Sequence, residues 1–144
     1  MAESGLIRRE VRIAAPPERV FQYFTDPARV ARWLAPSATV DARPGGTFHL
    51  RFPGGDEVVG SIIEIDAPRR IAFTWGWQPR AALPQPQATV PPGSSLVEFT
   101  LRPEGDETVV EVTHTRLPMI AIRVHDEGWQ GLLAQLRTLA ESEG

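Results

Sequence analysis

Histidine is the residue type in this chain best suited to chemistry near neutral pH, because the ordinary pKa of an imidazole is about 6.5. His49 stands on the polar side of an alternating segment, so we expect its side chain to be solvated. His114 and His125 stand among apolar residues, and we expect both to lean toward the interior. Each of these two is either a hydrogen-bonded group of the core or a polar anchor for the carbonyl or hydroxyl group of a ligand.

No catalytic or metal-binding motif accompanies these histidines. The chain has no cysteine, no Gly-x-Ser-x-Gly elbow, no phosphate-binding loop and no dinucleotide fingerprint. The segment 125–129 departs from the His-Glu-x-x-His zinc motif, because Trp129 stands where the second histidine belongs. We therefore expect no metal and no cofactor, and we assign no catalytic residue. Acid–base catalysis would have to use His114, His125, Tyr23 or an arginine such as Arg51.

Large apolar side chains, most of them aromatic, recur at spacings that direct them toward one interior. Alternation along strands and the 3.6-residue period along a helix each gather such residues on one face. A set of this kind forms either a dense core or the lining of an apolar pocket. Together with the two inward histidines, the candidate ligand-binding residues are Trp33, Phe48, Leu50, Phe52, Ile63, Phe73, Trp75, Trp77, Phe99, His114, His125, Trp129 and Leu133.

The elements that must position these residues follow from the same periodicities. Within 6–13, apolar and charged residues alternate strictly from residue 10 onward, which predicts a first strand. Pro17 suits the first turn of a helix, and Asp26 followed by Pro27 predicts a second short helix. Alternating segments separated by turn residues then predict an antiparallel meander, with strands over 47–52, 57–66, 71–77, 96–102 and 108–115.

The longest helix is predicted over 119–141, where apolar residues return to a helical period. An amphipathic helix and a sheet with one continuous apolar face must bury those faces against each other. Gly128 interrupts this helix, where glycine costs about 1 kcal/mol relative to alanine. Either a strand or an aromatic ring approaches the helix closely at Gly128, or open space beside it receives a ligand.

The segment 79–94 is rich in proline, and prolines at this density cannot join a hydrogen-bonded strand pair. We therefore expect an extended or mobile connection between two strands. Three interpretations remain open: a tolerated insertion in a hairpin, a lid over the mouth of a cavity, or a contact arm for a partner.

Length and composition limit the class of protein. A chain of 144 residues, 42% hydrophobic and 23% charged, is typical of one globular domain, so we assign residues 1–144 to a single domain. A net charge of −3 without a basic cluster argues against nucleic-acid binding. No apolar run is long enough to cross a membrane, and no secretory signal is visible. We expect a soluble, cytoplasmic protein with neither nucleic acid nor a membrane as its partner.

Several short strings, taken in order, carry a resemblance to a known family. Residues 16–21 with Trp33 resemble its opening helix pair, and residues 44–48 resemble its glycine turn into the sheet. Gly60 with Glu64, and residues 68–75, resemble its central strands. Residues 113–115 resemble its closing strand, and residues 125–129 resemble its final helix. Over residues 6–142 the chain thus resembles the START-like (SRPBCC) superfamily, in the branch named for the activator of the ninety-kilodalton heat-shock protein's ATPase.

The resemblance implies an α+β helix-grip fold, in which a curved antiparallel β-sheet wraps around a long C-terminal α-helix. Two short helices follow the first strand, and a cavity lies between the sheet and the long helix. Members of the superfamily commonly bind hydrophobic small molecules, and some are cyclases or hydrolases. The segment 79–94 departs from the family's pattern and leaves the shape of the cavity mouth open.

The leading hypothesis is non-catalytic binding of a hydrophobic small molecule between the sheet and the C-terminal helix. One alternative is a co-chaperone-like, protein-binding domain, which the family name suggests. The other is a cyclase- or hydrolase-type enzyme that uses the cavity. The expected partner is an apolar small molecule, and a homodimer or a chaperone partner stays open.

Overall fold

The computed structural model describes residues 4–78 and 85–143. Within these ranges the chain forms an antiparallel sheet of eight strands and four α-helices. The strands are β1 (Ser4–Ile13), β2 (Ser37–Val40), β3 (Thr47–Arg51), β4 (Glu57–Asp66), β5 (Arg70–Trp75), β6 (Trp77–Gln78), β7 (Ser95–Glu104) and β8 (Glu107–Pro118). The helices are α1 (Pro17–Thr25), α2 (Pro27–Trp33), α3 (Gln85–Ala88) and α4 (Met119–Ser142).

The architecture confirms the predicted α+β helix-grip fold. The curved sheet has the order β1-β8-β7-β5-β4-β3-β2, and β6 pairs with β4 outside that path. Helix α4 lies along the sheet and buries one side, made of Ala121, His125, Trp129, Leu133, Leu136 and Ala140. This spacing of three or four residues makes a single apolar stripe on a helix, which is why the helix packs with one face against the strands. No helix in the described ranges is long and apolar enough to span a membrane.

The two short helices begin where the prolines predict. Pro17 and Pro27 each occupy the first turn of a helix, where the missing N–H is not needed. The side chain of Asp26 accepts a hydrogen bond from the backbone N–H of Ala28, at 3.1 Å, and caps α2. The indole N–H of Trp33 donates to the carbonyl oxygen of Tyr23 at 2.7 Å and so fixes α2 against α1.

The side-chain alternation along β4 corrects the prediction for Ile63. The pairing of β4 with β5 shifts register between Ile62 and Glu64, so the residue between them has no direct partner on β5. Ile62 is completely buried, whereas Ile63 is 56% exposed. Because neighbouring side chains of a strand point to opposite faces, Ile63 lies outside the interior and cannot line a cavity there.

The predicted strand over 71–77 is interrupted at Gly76. A side chain at Gly76 would place its Cβ 2.0 Å from the carbonyl oxygen of Pro91, so only glycine allows this approach of two backbones. Trp75 pairs with Ser95 on β7, but Trp77 pairs with Val58 on β4. The break therefore moves Trp77 to a different strand neighbour from Trp75.

The described part of the proline-rich segment is folded against the sheet, in contrast to the extended or mobile connection expected. Residues 79–84 lie outside the described residues. Gln85–Ala88 forms the short helix α3. Val90 is completely buried, and its carbonyl oxygen accepts a hydrogen bond of 2.7 Å from the backbone N–H of Trp77. Val90 therefore anchors the segment beside β6 in two ways: its side chain is buried, and its carbonyl oxygen accepts the hydrogen bond from β6.

Candidate functional site

A cavity of about 260 Å³ lies between one end of the sheet, helix α4 and the segment that contains α3. An apolar cavity of about 150 Å³ is large enough to bind benzene in another protein, so this one has room for a larger aromatic molecule. The described residues that line it are Phe52, Trp75, Trp77, Gln87, Val124, His125, Gly128, Trp129 and Leu132.

The wall of the cavity is mainly aromatic. The indole rings of Trp75 and Trp77 meet edge to face with centroids 5.9 Å apart, and Trp75 lies 5.2 Å from Trp129. Phe52 packs on the other side of Trp77, at 5.3 Å. Rings held against one another in this way form a rigid apolar surface, which suits a flat hydrophobic ligand.

Helix α4 opens onto this space at Gly128. A Cβ added to Gly128 would meet no atom within 4 Å apart from the helix's own backbone, and Gly128 is one of the cavity-lining residues. Of the two explanations for this mid-helix glycine, the structure supports open space beside the helix and contradicts close packing. A larger side chain at Gly128 would enter the cavity.

His114 is buried behind the cavity wall with both ring nitrogens in hydrogen bonds. Its Nδ1 accepts from the indole N–H of Trp129 at 3.0 Å. Its Nε2 lies 2.9 Å from the hydroxyl oxygen of Ser95, and that hydroxyl donates to the carbonyl oxygen of Trp75 at 2.6 Å. The proton of this imidazole is therefore on Nε2. Burial, helped by the neighbouring His125, lowers the pKa of His114 to about 3, so the ring is neutral at pH 7.

His125 lies on the wall and is also fully hydrogen-bonded. Its Nδ1 is 2.8 Å from the carbonyl oxygen of Ala121, which requires the proton on Nδ1. Its Nε2 accepts from the indole N–H of Trp77 at 3.0 Å. Burial lowers the pKa of His125 as well. Neither His114 nor His125 has a free ring nitrogen, so the structure favours the hydrogen-bonded core interpretation over that of a ligand anchor or a general base.

Two other polar atoms belong to cavity-lining residues and have no hydrogen-bond partner. They are the indole Nε1 of Trp75 and the side-chain Oε1 of Gln87, and both are buried. Trp75 is 3% exposed, while Gln87 on α3 is half-buried. Buried polar groups in proteins are paired in the great majority of cases, so these two are exceptional features of the wall.

The structure divides the candidate residues into a wall and a core. Five residues of the predicted ligand-binding set line the cavity: Phe52, Trp75, Trp77, His125 and Trp129. The remaining inward residues fill the interior or a separate surface. Trp33, Phe48, Leu50, Phe73, Phe99 and His114 are buried away from the cavity, and Leu133 borders an open groove between β1 and α4.

The aromatic rings of the core pack directly against one another behind the cavity wall. The rings of Phe48 and Phe73 stack with centroids 3.9 Å apart, and Phe99 lies 5.6 Å from Trp129. The cavity is therefore confined to one end of the interface between the sheet and α4.

Four lining residues were absent from the predicted set. Three of them are on α4, each within four residues of His125 or Trp129: Val124, Gly128 and Leu132. The helical period could therefore have predicted that they lie beside those two residues. Gln87 had no such signal, because it comes from the proline-rich segment, whose position depends on contacts with Trp77 and Gly76.

A buried carboxylate lies outside the cavity wall, on β4. Glu57 is 3% exposed, and its Oε1 is 3.1 Å from Nε of Arg51 and 3.2 Å from Nε2 of His49. We expected the side chain of His49 to be solvated, but it is half-buried beside this carboxylate. Across residues 4–78 and 85–143, no group of three or more His, Asp or Glu side chains is arranged to hold a metal ion.

Comparison with known proteins gives matches to both sequence and fold. A family model described as activator of Hsp90 ATPase homolog 1-like protein matches residues 14–141. The solution structure of an AHSA1-like protein from Rhizobium etli is 36% identical, with a TM-score of 0.70, covering 96% of this chain and 83% of that chain. The solution structure of the Aha1 dimer from Colwellia psychrerythraea is 19% identical, with a TM-score of 0.76, covering 95% and 96%.

A shorter match links the chain to a fungal protein. An uncharacterised protein of Schizosaccharomyces pombe is 39% identical over 61 residues, which is 42% of this chain. The matched region is 17% of the fungal protein's length. The family model and the Rhizobium etli structure each match nearly the whole chain, whereas the fungal match covers less than half of it.

Proposed function

This chain belongs to the family of activator of Hsp90 ATPase homolog 1-like proteins, and from that premise we propose that it binds a hydrophobic small molecule without converting it chemically. The site is the cavity between the sheet and α4, lined by Trp75, Trp77 and Trp129. The family and the fold support either a ligand-binding or a co-chaperone-like domain, and the geometry of this cavity favours the first.

The observation that carries the proposal is the open, aromatic-lined space beside Gly128. Glycine in a helix costs about 1 kcal/mol relative to alanine, and no close packing at Gly128 compensates for that cost. A ligand that fills the space gains about 25 cal/mol of binding free energy for each Å² of apolar surface removed from water. The translational and rotational entropy that the ligand loses on binding must be subtracted from this gain. A bound ligand therefore removes the apolar surface of these rings from water.

The absence of conversion is supported by the state of the two histidines. A general base needs a free nitrogen within hydrogen-bond reach of the proton it removes. Both nitrogens of His125 are used by Ala121 and Trp77, and His114 lies behind the wall. The cyclase- or hydrolase-type alternative therefore has less support than binding alone.

Titration with naphthalene tests the proposal, because this bicyclic hydrocarbon has no polar group and matches a flat apolar cavity. We expect isothermal titration calorimetry to show one bound molecule per chain, with a negative heat-capacity change. Glucose, which is of comparable size and polar, serves as the control and should give no heat of binding. The proposal is wrong if naphthalene neither binds nor raises the midpoint of thermal unfolding.

A second candidate function is contact with a chaperone ATPase, which one surface feature favours. Leu6, Met119 and Ile120 are more than half exposed and lie where β1 and α4 begin. Large apolar side chains grouped on a surface are typical of protein–protein contacts. A second copy of this chain is another occupant for this surface, since the Colwellia psychrerythraea protein forms a dimer.

The rate of ATP hydrolysis by an Hsp90-type chaperone tests the second candidate. If the contact exists, adding the chain raises the rate, and the double variant Leu6→Ser with Met119→Ser reduces that stimulation. Ile63→Ser removes an equally exposed apolar side chain from β4 and should leave the stimulation unchanged. A chain that gives no stimulation at all rules out this function.

A further inference from the structure

The indole of Trp77 reaches the cavity wall from a strand of only two residues, β6, which pairs with β4 outside the main path of the sheet. The Trp77 side chain is half-buried, and its indole N–H donates to Nε2 of His125 at 3.0 Å. This hydrogen bond joins the ring to helix α4 and determines which edge of the indole points toward the helix. Because both residues line the cavity, the bond lies within the wall itself.

His125 can accept this hydrogen bond only as a neutral imidazole. Its Nδ1–H donates to the carbonyl oxygen of Ala121 at 2.8 Å, so the lone pair that accepts from Trp77 is on Nε2. A second proton on the ring would bind at Nε2, because no other lone pair is left. An N–H of His125 would then face the N–H of Trp77, and two donors cannot form a hydrogen bond with each other. Protonation of His125 therefore releases the indole of Trp77.

The side chains that face His125 give no support to a positive charge on its ring. From β8, the neutral ring of His114 faces it with centroids 5.4 Å apart. From β5 and β6, the facing rings are Trp75 at 6.4 Å and Trp77 at 6.1 Å. From α3, the uncharged side chain of Gln87 lines the same cavity. In these surroundings burial lowers the pKa of His125.

The charged groups of the neighbouring elements are paired with one another and not with His125. Asp126 follows it on α4 but accepts from Arg9 of β1 at 2.7 Å. Arg123 and Glu127 pair with each other on the exposed side of α4. Helices α1 and α2 meet α4 toward its C-terminal end, where two arginines of α2 pair with the carboxylate that follows the helix. Within the described part of the chain, no Asp or Glu forms an ion pair with His125.

We infer that His125 is a positioning residue, whose neutral ring holds Trp77 in the cavity wall and makes the binding of an apolar ligand depend on pH. This inference rests on the proposed function, because it concerns the regulation of the same cavity. His125 is 6% exposed, and an apolar ligand would cover what remains of its contact with water. Loss of water disfavours the charged form of the ring. By reciprocity, a proton on His125 weakens ligand binding by the factor by which the ligand weakens proton binding.

The affinity for naphthalene should be highest at pH 7.5, where His125 is neutral with and without the ligand. It should decrease as the pH falls through the pKa of His125 in the ligand-free chain, with a limiting slope of about tenfold per pH unit. His114 has a pKa of about 3 and stays neutral down to pH 4.5, so it does not produce this decrease. Isothermal titration calorimetry from pH 7.5 to pH 4.5 measures the affinity, and far-UV circular dichroism at each pH verifies that the chain is folded.

Substitutions of His125 test the positioning role at pH 7.5, where titration has no part. In His125→Gln, the amide oxygen takes the place of Nε2 and can accept from Trp77, whereas His125→Leu has no acceptor. We expect His125→Leu to bind naphthalene about fivefold more weakly than His125→Gln, as for the loss of one hydrogen bond. His125→Gln should also lose most of the dependence on pH, because its side chain does not titrate.

The matched control is His49→Gln, which makes the same change at a half-buried histidine that does not line the cavity. It should keep the affinity and the dependence on pH of the wild type. If His125→Leu does not fold, the pH profiles of the wild type and His125→Gln decide the question.

An affinity of the folded wild type that stays constant from pH 7.5 to pH 4.5 overturns the inference but not the proposed function. Equal affinities of His125→Gln and His125→Leu at pH 7.5 overturn it as well, and that comparison does not require a folded chain at low pH. A dependence on pH that is unchanged in His125→Gln belongs to another group and also overturns the inference. If naphthalene does not bind the wild type at pH 7.5, the proposed function is wrong, and the inference with it.

Discussion

The indole N–H of Trp129 on α4 donates a hydrogen bond of 3.0 Å to Nδ1 of His114 on β8. A second indole–imidazole hydrogen bond runs from the sheet to the helix. In this bond the indole N–H of Trp77 on β6 donates to Nε2 of His125 on α4 at 3.0 Å. The two pairs join the helix to the sheet on either side of Trp75, whose ring lies 5.7 Å from His114 and 6.4 Å from His125. Polar hydrogen bonds thus fix the position of an otherwise apolar cavity wall.

Acidification should weaken the fold before the carboxylates titrate. The folded-state pKa of His114 is lowered to about 3, and that of His125 is also lowered, so the unfolded chain binds more protons than the folded chain below pH 6.5. The free energy of unfolding should be highest above pH 6.5 and should fall as the pH decreases toward 3. His114 contributes up to about 1.4 kcal/mol per pH unit in this window, and His125 adds to the dependence in the same direction.

Urea denaturation between pH 7 and about pH 5.5 measures this effect, since carboxylates with ordinary pKa values near 4 are ionised there in both the folded and the unfolded chain. His114→Gln should make the dependence on pH shallower. A free energy of unfolding that stays constant over this interval would contradict the assigned neutral state of both rings.

Ser95→Ala should destabilise the protein by about 1–3 kcal/mol, because it leaves Nε2 of His114 and the carbonyl oxygen of Trp75 buried without their partner. The measurement is the free energy of unfolding from urea denaturation at pH 7. Ser61→Ala, at an exposed position of β4, is the control and should change the free energy by less than about 0.5 kcal/mol. Equal effects of the two substitutions would show that the hydrogen-bonded chain contributes nothing.

Gly128→Leu should fill the cavity and reduce the affinity for naphthalene at least tenfold. The new side chain has room, since no atom lies within 4 Å of the Cβ position, so the free energy of unfolding should stay the same or rise by up to about 1 kcal/mol. Gly131→Leu is the matched control, because Gly131 is also in α4 with open space but does not line the cavity. Retained binding in Gly128→Leu would place the ligand elsewhere.

Val90→Ala should loosen the segment beside the cavity mouth. Deleting methyl groups from this completely buried side chain weakens the packing that holds its carbonyl oxygen against the N–H of Trp77. Hydrogen exchange at the Trp77 amide should become faster, and naphthalene should associate and dissociate faster. Val11→Ala on β1 is the control and should leave exchange at Trp77 unchanged. Unchanged exchange in Val90→Ala would exclude a lid role for this segment.

Local signals in the sequence were sufficient for the elements and for the general character of the interior. Asp26 followed by Pro27 predicted the start of α2, and the helical period predicted α4 to within one residue of its end. Alternation along the strand placed Trp75 inside, where the structure buries it, whereas Trp77 is half-buried. Such signals are local because the period of apolar residues reports which side of a strand or helix is buried, whatever the partner is.

Tertiary structure alone decided which inward residues form the wall and which form the core. The ring of Phe48 stacks on Phe73 in the core, whereas Trp75 lines the cavity. This difference depends on strand register and on where α4 crosses the sheet. The bulge beside Ile63 is likewise a property of the pairing between β4 and β5. Neither feature is present in the periodicity of one element.

The chemistry of the site also depended on contacts between residues distant in sequence. The sequence determined that His114 and His125 point inward, but their availability was decided by the indole N–H groups of Trp129 and Trp77, which occupy one nitrogen of each ring. Gln87 reaches the wall because Val90 and Gly76 anchor its segment. Hydrogen-bond partners are set by the packing of separate elements, which is why a one-dimensional pattern predicts the inward face and the folded chain decides which of its polar atoms remain unpaired.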